Sequence, residues 1–171
     1  MKACLITLFL TIFFWCHGQV DSSDHFNPLT GFIPKNTVDH LDFYKSPNGK
    51  KIDSIKILKS GWVHFSINHQ KGNWVKIKNV SIAPGIKDLA HLNNNWVKTS
   101  DVWFNLSNNG AFYYVLPNDK SKKHFIDYQS VNLIEINGNW VKAKFMTNAH
   151  AEQAWFKRED LCGSPWTTCN Y

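Results

Sequence analysis

The sequence of 171 residues predicts an all-β protein made of two small units in tandem behind an irregular lead-in. Apolar residues recur with a period of two, a set of short motifs occurs twice in the same order, and no long stretch carries a helical period. Val63, Phe65 and Ile67 alternate with His64, Ser66 and Asn68, as a strand with one buried face requires. Val75 and Ile77 alternate with Trp74, Lys76 and Lys78, and Val141, Ala143 and Phe145 with Trp140, Lys142 and Lys144. Trp74 and Trp140 are thereby expected on the lysine-bearing face. Ile86 to Leu92 has room for a turn or two of helix before the run Asn93-Asn94-Asn95.

The elements follow in order. Lys2 and the uncharged run Ala3 to Trp15 read as a secretory signal peptide over 1–18, because 13 residues are too few to cross a ~30 Å hydrocarbon layer as a helix. Acylation at Cys16 is the rival reading, but Trp15 stands where a lipoprotein box has a small residue. A secreted or periplasmic location without a membrane span follows as the expectation. The segment 19–36, with Pro28, Gly31 and Pro34, reads as irregular. Two cysteines remain beyond the leader, Cys162 and Cys169, and an even pair in a secreted chain is most simply a disulfide, here pinning the C-terminal tail.

The repeat defines units over 37–104 and 111–171, with 105–110 (Asn-Leu-Ser-Asn-Asn-Gly) as a turn or linker. Gly72-Asn73-Trp74-Val75-Lys76-Ile77-Lys78 returns as Gly138-Asn139-Trp140-Val141-Lys142-Ala143-Lys144. Upstream, Phe43-Tyr44-Lys45-Ser46-Pro47 is echoed by Tyr113-Tyr114-Val115-Leu116-Pro117; downstream, Trp96-Val97-Lys98 to Val102 is echoed by Trp155-Phe156-Lys157 to Leu161. Units of this size bury only about 60% of the surface their unfolded chains expose, so packing of the two against each other is expected to supply the remainder.

A strand ending Phe-Tyr or Tyr-Tyr with Pro three residues on, a central Gly-Asn-Trp-Val-Lys-x-Lys, and a closing Trp-(Val/Phe)-Lys-x-x-Asp-(Val/Leu) together resemble the bacterial SH3 domain. The resemblance covers Val38 to Phe104 and Ala111 to Cys162. It implies two small, bent SH3-like β-barrels in tandem, of a kind that serves as a recognition module in extracytoplasmic proteins, often beside a cell-wall hydrolase. It also implies groove aromatics at Tyr44, Trp74 and Trp96 and at Tyr114, Trp140 and Trp155. Eukaryotic relatives close their groove with Pro and Tyr where this chain has Lys98 and Asp101, then Lys157 and Asp160, which argues against recognition of proline-rich helices.

The candidate ligand-binding set is therefore Tyr44, Trp74, Lys76, Trp96, Tyr114, Trp140, Lys142 and Trp155, indoles beside cations that suit a carboxylate-bearing peptide or a sugar. Trp96 and Trp155 also have a structural reading, since each is followed by an apolar residue in its strand. A net charge of +6, spread along the chain, does not suggest nucleic acid. No His-x-His or His-Glu-x-x-His spacing, phosphate loop or nucleophile elbow occurs, so neither metal, cofactor nor catalysis is expected. The expected function is non-catalytic binding of a cell-envelope ligand, a peptidoglycan peptide or an envelope protein. The alternative is a structural or inhibitory, immunity-like protein that docks on another protein.

Overall fold

Residues 29–34, 39–57, 61–83, 87–148 and 150–163 are described by a computed structural model. The expected signal peptide, most of the lead-in and Cys169 lie outside them. The described residues form strands and short 3-10 turns, with no α-helix among them. The first half contributes β1 (Thr30–Pro34), β2 (His40–Tyr44), β3 (Lys51–Lys56), β4 (Trp62–Lys71), β5 (Trp74–Ala83), β6 (Lys87–Asp88), β7 (Trp96–Lys98) and β8 (Trp103–Leu106). The second contributes β9 (Ala111–Tyr114), β10 (Lys123–Ile126), β11 (Ser130–Asn137), β12 (Trp140–Met146), β13 (Ala151–Lys157) and β14 (Leu161–Cys162). The stretch before Asn93 forms a single 3-10 turn, Ala90–Leu92.

All strand pairings are antiparallel, in one sheet of order β10-β9-β13-β12-β11-β8-β1-β4-β5-β7-β2-β3, with β14 beside β8 and β6 beside β5. Two expectations need correction here. The lead-in is not wholly irregular, because β1 falls inside it and pairs along its full length with β4, from Thr30↔Ser66 to Pro34↔Trp62. Its apolar Phe32 and Ile33 are fully buried, and that burial outweighs the local Pro and Gly signals. The stretch 105–110 is not wholly a linker either. Asn105 and Leu106 belong to β8, and only from Ser107 does the chain turn, where Gly110 N–H donates to Ser107 O at 2.8 Å.

β8 is the seam between the halves. On one edge it pairs with β11, and on the other first with β1 at Trp103↔Phe32 and then with β14. Most of the buried apolar residues form one cluster that draws on both halves, Phe43, Phe65, Val75 and Val97 from the first and Val131, Val141, Phe145 and Phe156 from the second. The two central hairpins, β4–β5 and β11–β12, turn on Gly72 and Gly138, whose φ values of +55° and +57° are open to glycine without steric penalty.

Alternation holds along β12 and along β5 as far as Asn79, after which the buried position moves from Ile77 to Val80, and β4 departs from it too. Asn79, at φ +54°, is an extra residue opposite His64 and Ser66, and its amide donates to Ser66 Oγ at 3.3 Å. That bulge lets Ser66 be buried between Phe65 and Ile67.

Candidate functional site

The strand registers bring the sequence-predicted residues together twice, in matching arrangements. In the first half Tyr44 of β2 lies opposite Trp96 of β7, which lies opposite Lys76 of β5. In the second, Tyr114 of β9 lies opposite Trp155 of β13, which lies opposite Lys142 of β12. Cross-strand partners share a face of the sheet, and so do residues two apart, so Trp74 joins the first row and Trp140 the second. Each of these tryptophans meets its row's tyrosine edge-on: Tyr44–Trp74 at 4.8 Å and 76°, Tyr114–Trp140 at 4.9 Å and 78°. Such contacts are worth about 0.5–1.5 kcal/mol beyond burial and fix the plane of the indole.

Within these rows the rings differ in exposure. Trp74 and Trp155 each retain 9% of their accessible surface and Tyr114 retains 5%, whereas Trp96 and Trp140 are half-buried. Trp74 thus lies on the lysine-bearing face, as alternation requires, but is largely covered. The Nε1 of Trp74 donates to Asn48 Oδ1 in the β2–β3 loop at 3.3 Å. Trp96 has His69 edge-on at 6.0 Å.

Beside each hairpin tryptophan lies a cleft. The strand that closes the cleft is held to the hairpin by one equivalent bond in each half, Thr99 N–H to Asn73 O at 3.0 Å and Arg158 N–H to Asn139 O at 2.9 Å. The first cleft, about 450 Å³, is lined from the first half by Trp74, Asn48, Asn73, Lys98, Thr99 and Ser100. Asn132, Leu133 and Ile134 of β11 form the other wall, so this cleft sits where the two halves meet. The second, about 240 Å³, is formed by Asp119, Asn139, Trp140, Lys157, Arg158 and Glu159, all from the second half. The first falls within the ~300–1,000 Å³ typical of small-molecule sites, as does a neighbouring cleft of about 370 Å³ lined by Gln70, Gly72, Asn73, Ile134, Glu135 and Ile136, whereas the second does not.

Two amide side chains position the shared wall. Asn132 Nδ2 donates to Ser100 O at 2.9 Å and Val102 O at 2.8 Å, tying β11 to the turn that carries Lys98. Gln70 lies at the end of β4, facing the part of β11 beyond its pairing with β8, where a register shift lies between Leu133 and Glu135. Gln70 Nε2 donates to Ile134 O at 2.8 Å and Ile136 N–H donates to Gln70 Oε1 at 2.7 Å. One side chain therefore serves as donor and acceptor for that edge, in place of a strand.

The charges around the clefts are unequal. Lys98 has no carboxylate within ion-pair distance among the described residues. Asp101 is the acid nearest it in the following turn; its carboxyl accepts from Ser100 Oγ at 3.2 Å, and burial raises its pKa from the ordinary 3.8. The matching Asp160 is also raised, again chiefly by burial. In the second cleft Lys157 Nζ lies 2.8 Å from Asp119 Oδ1 and 3.7 Å from Glu159 Oε1, and the bond from Asp119 raises the lysine's pKa. Burial lowers that of Arg158, whose Nη1 donates to Gly138 O at 3.4 Å.

Among the described residues no group of three or more His, Cys, Asp or Glu side chains is arranged to hold a metal ion, and no helix is long and apolar enough to cross a membrane. Cys162 is buried and disulfide-bonded, while Cys169, its expected partner, lies outside the described residues.

Asn48, Asn132, Gln70 and Asp119 were missed as site residues by sequence reasoning. The first and last sit in loops of ordinary turn composition, and the other two act across the seam, which no local pattern signals. Lys98 and Lys157 were visible as departures from the eukaryotic motif.

No protein-family model matches the chain, and no curated protein matches it. Among solved structures the chain is similar to an NlpC/P60 family protein from Bacillus cereus ATCC 10987, at 14% identity and a TM-score of 0.27. The match covers 77% of this chain and spans only 55% of that protein's length. A likeness this distant carries no weight for function.

Proposed function

We propose that the protein is a non-catalytic extracytoplasmic binding module, two SH3-like barrels in tandem, that recognises the peptide portion of peptidoglycan. The observation that carries this reading is the first cleft, lined by the accessible edge of Trp74 together with Lys98 and the side chains of Asn48 and Asn73. An apolar plate orients a peptide's side chains and aliphatic backbone, amides exchange hydrogen bonds with its backbone, and a lysine attracts its acids. The leader read over 1–18 delivers such a module to the envelope, and the two copies of the aromatic row support the duplicated-domain reading.

The test is co-sedimentation with purified peptidoglycan at physiological salt, comparing the wild type with Lys98→Met and Trp74→Phe. Retention of the wild type and loss in both variants is expected. No retention of the wild type overturns the reading, and recovery instead of a stoichiometric complex with one envelope protein would replace it with that partner.

One observation favours a second reading, docking on another protein. The β9–β10 hairpin, at the end of the sheet, exposes Phe112, Val115, Leu116 and Phe125, with Phe112 and Phe125 edge-on at 5.6 Å. Charged substitutions at Leu116 and Phe125 that leave wall retention intact but abolish a protein complex would establish it.

A further inference from the structure

We infer that the two clefts are not equivalent: the first receives a ligand carboxylate, and the second is already filled by one, the side chain of Asp119. This rests on the binding-module reading and specifies the ligand chemistry of its site.

The two loops that overhang the tryptophans begin alike and differ in length. Each follows the row's tyrosine and contains a proline, Pro47 or Pro117. Each is closed by a backbone bond from the residue after the tyrosine, Lys45 N–H to Lys50 O at 3.2 Å in one and Val115 N–H to Lys122 O at 3.1 Å in the other. The second loop is thus two residues longer between its closing partners. In the shorter loop the residue that reaches the indole is neutral, Asn48, bonded through Oδ1 to Trp74 Nε1. In the longer loop the chain carries Asp119 to the ammonium of Lys157, at 2.8 Å.

Lys98 and Lys157 occupy the same register position, opposite Trp74 and Trp140 respectively. What separates them is the company each keeps. Lys157 is held between Asp119 and Glu159, with its Nζ 6.0 Å from the centre of the Trp140 ring, so indole, ammonium and carboxylate are assembled from one chain. The lining of the second cleft, with two acids and two bases, is neutral overall; that of the first has one cation and no acid. The first cleft has an indole and an ammonium at the matching register positions and no carboxylate in its lining, and its space is larger, about 450 Å³ against about 240 Å³. The internal Asp119–Lys157 pair therefore displays the geometry that a ligand's acid group adopts on Lys98. Asp101, the acid nearest Lys98, feels its charge but makes no ion pair with it: it is half-buried, outside the cleft lining, and engaged by Ser100 Oγ, which leaves the ammonium's cleft side to a ligand.

The experiment uses the isotopically labelled full chain and two probes that differ only in charge, N-acetyl-glycyl-glycine and its C-terminal amide, followed through the indole N–H signals. With the wild type, the acid is expected to shift the Trp74 signal saturably and to leave Trp140 unmoved, and the amide to bind about tenfold more weakly or worse. Lys98→Met is expected to abolish the difference between acid and amide. The double substitution Asp119→Asn with Glu159→Gln, at two exposed side chains that both engage Lys157, is expected to create a second response, at Trp140. Equal binding of acid and amide overturns the inference, as does a protein with both Asp119→Asn and Glu159→Gln in which Trp140 stays silent. Either result alongside preserved peptidoglycan retention leaves the binding-module reading standing; dipeptide binding without any wall retention does the reverse.

Discussion

Replacing Gln70 by leucine tests whether the wall of the first cleft is held by a side chain acting as a strand. Leucine keeps most of the volume but has neither donor nor acceptor, so Ile134 O and Ile136 N–H lose partners at 2.8 and 2.7 Å. Both bonds are partly shielded from water, while the third, to Gly72 O at 2.9 Å, is exposed and is replaced by solvent. At about 1 kcal/mol for each shielded bond, the loss is about 2 kcal/mol. For a chain of this length, about 2–4 °C per kcal/mol converts that to a drop in Tm of about 4–8 °C. Differential scanning calorimetry measures the drop, and amide exchange at Ile136 is expected to accelerate more than at the fully paired residues of β12. A Tm within about 1 °C of wild type, with unchanged protection of Ile136, would refute the reasoning: Gln70 would then be an ornament on an edge stabilised by other contacts.

Two further expectations concern the seam and the buried acids. Phe104 of β8 is fully buried in the cluster shared by both halves, so Phe104→Ala should cost about 3–5 kcal/mol and, because the cluster is common, lower a single melting transition; a lone low-temperature transition with the remainder unmoved would contradict a common core. Burial holds the folded-state pKa of Asp101 above 3.8, so its contribution to stability is complete below the unfolded value and is lost as pH rises through the folded one. The Tm of Asp101→Asn minus that of wild type should accordingly grow as pH rises from about 4, and a difference that is constant or shrinks would contradict the assignment.

The all-β character was legible because inward positions such as Val75, Ile77, Val141 and Ala143 are fully buried and their neighbours are not, which period two records directly. The matching rows of Tyr44, Trp96 and Lys76 and of Tyr114, Trp155 and Lys142 were legible as recurring motifs, since the same local patterns produced the same registers. Elements whose stability comes from partners far along the chain were not. Strand β1 has the Gly and Pro of a loop and is a strand because β4 and β8 flank it. Asn105 has loop composition but is buried, with Ser130 Oγ donating to its Oδ1 at 2.6 Å. Exposure of the aromatics was equally hidden: strand parity puts Trp74 on an outward face, but the Asn48 loop and β11 decide how much of it water reaches. The inequality of the clefts depends on two extra loop residues near Asp119, which motif comparison treats as a neutral insertion.

The most direct measurement is the signal of the Trp74 indole N–H, already bonded to Asn48, while soluble peptidoglycan fragments are added to the labelled wild-type protein. A saturable shift there, absent in Lys98→Met, is the expected result. Fragments that saturate the protein while leaving Trp74 untouched, or that do not bind at all, would contradict the account.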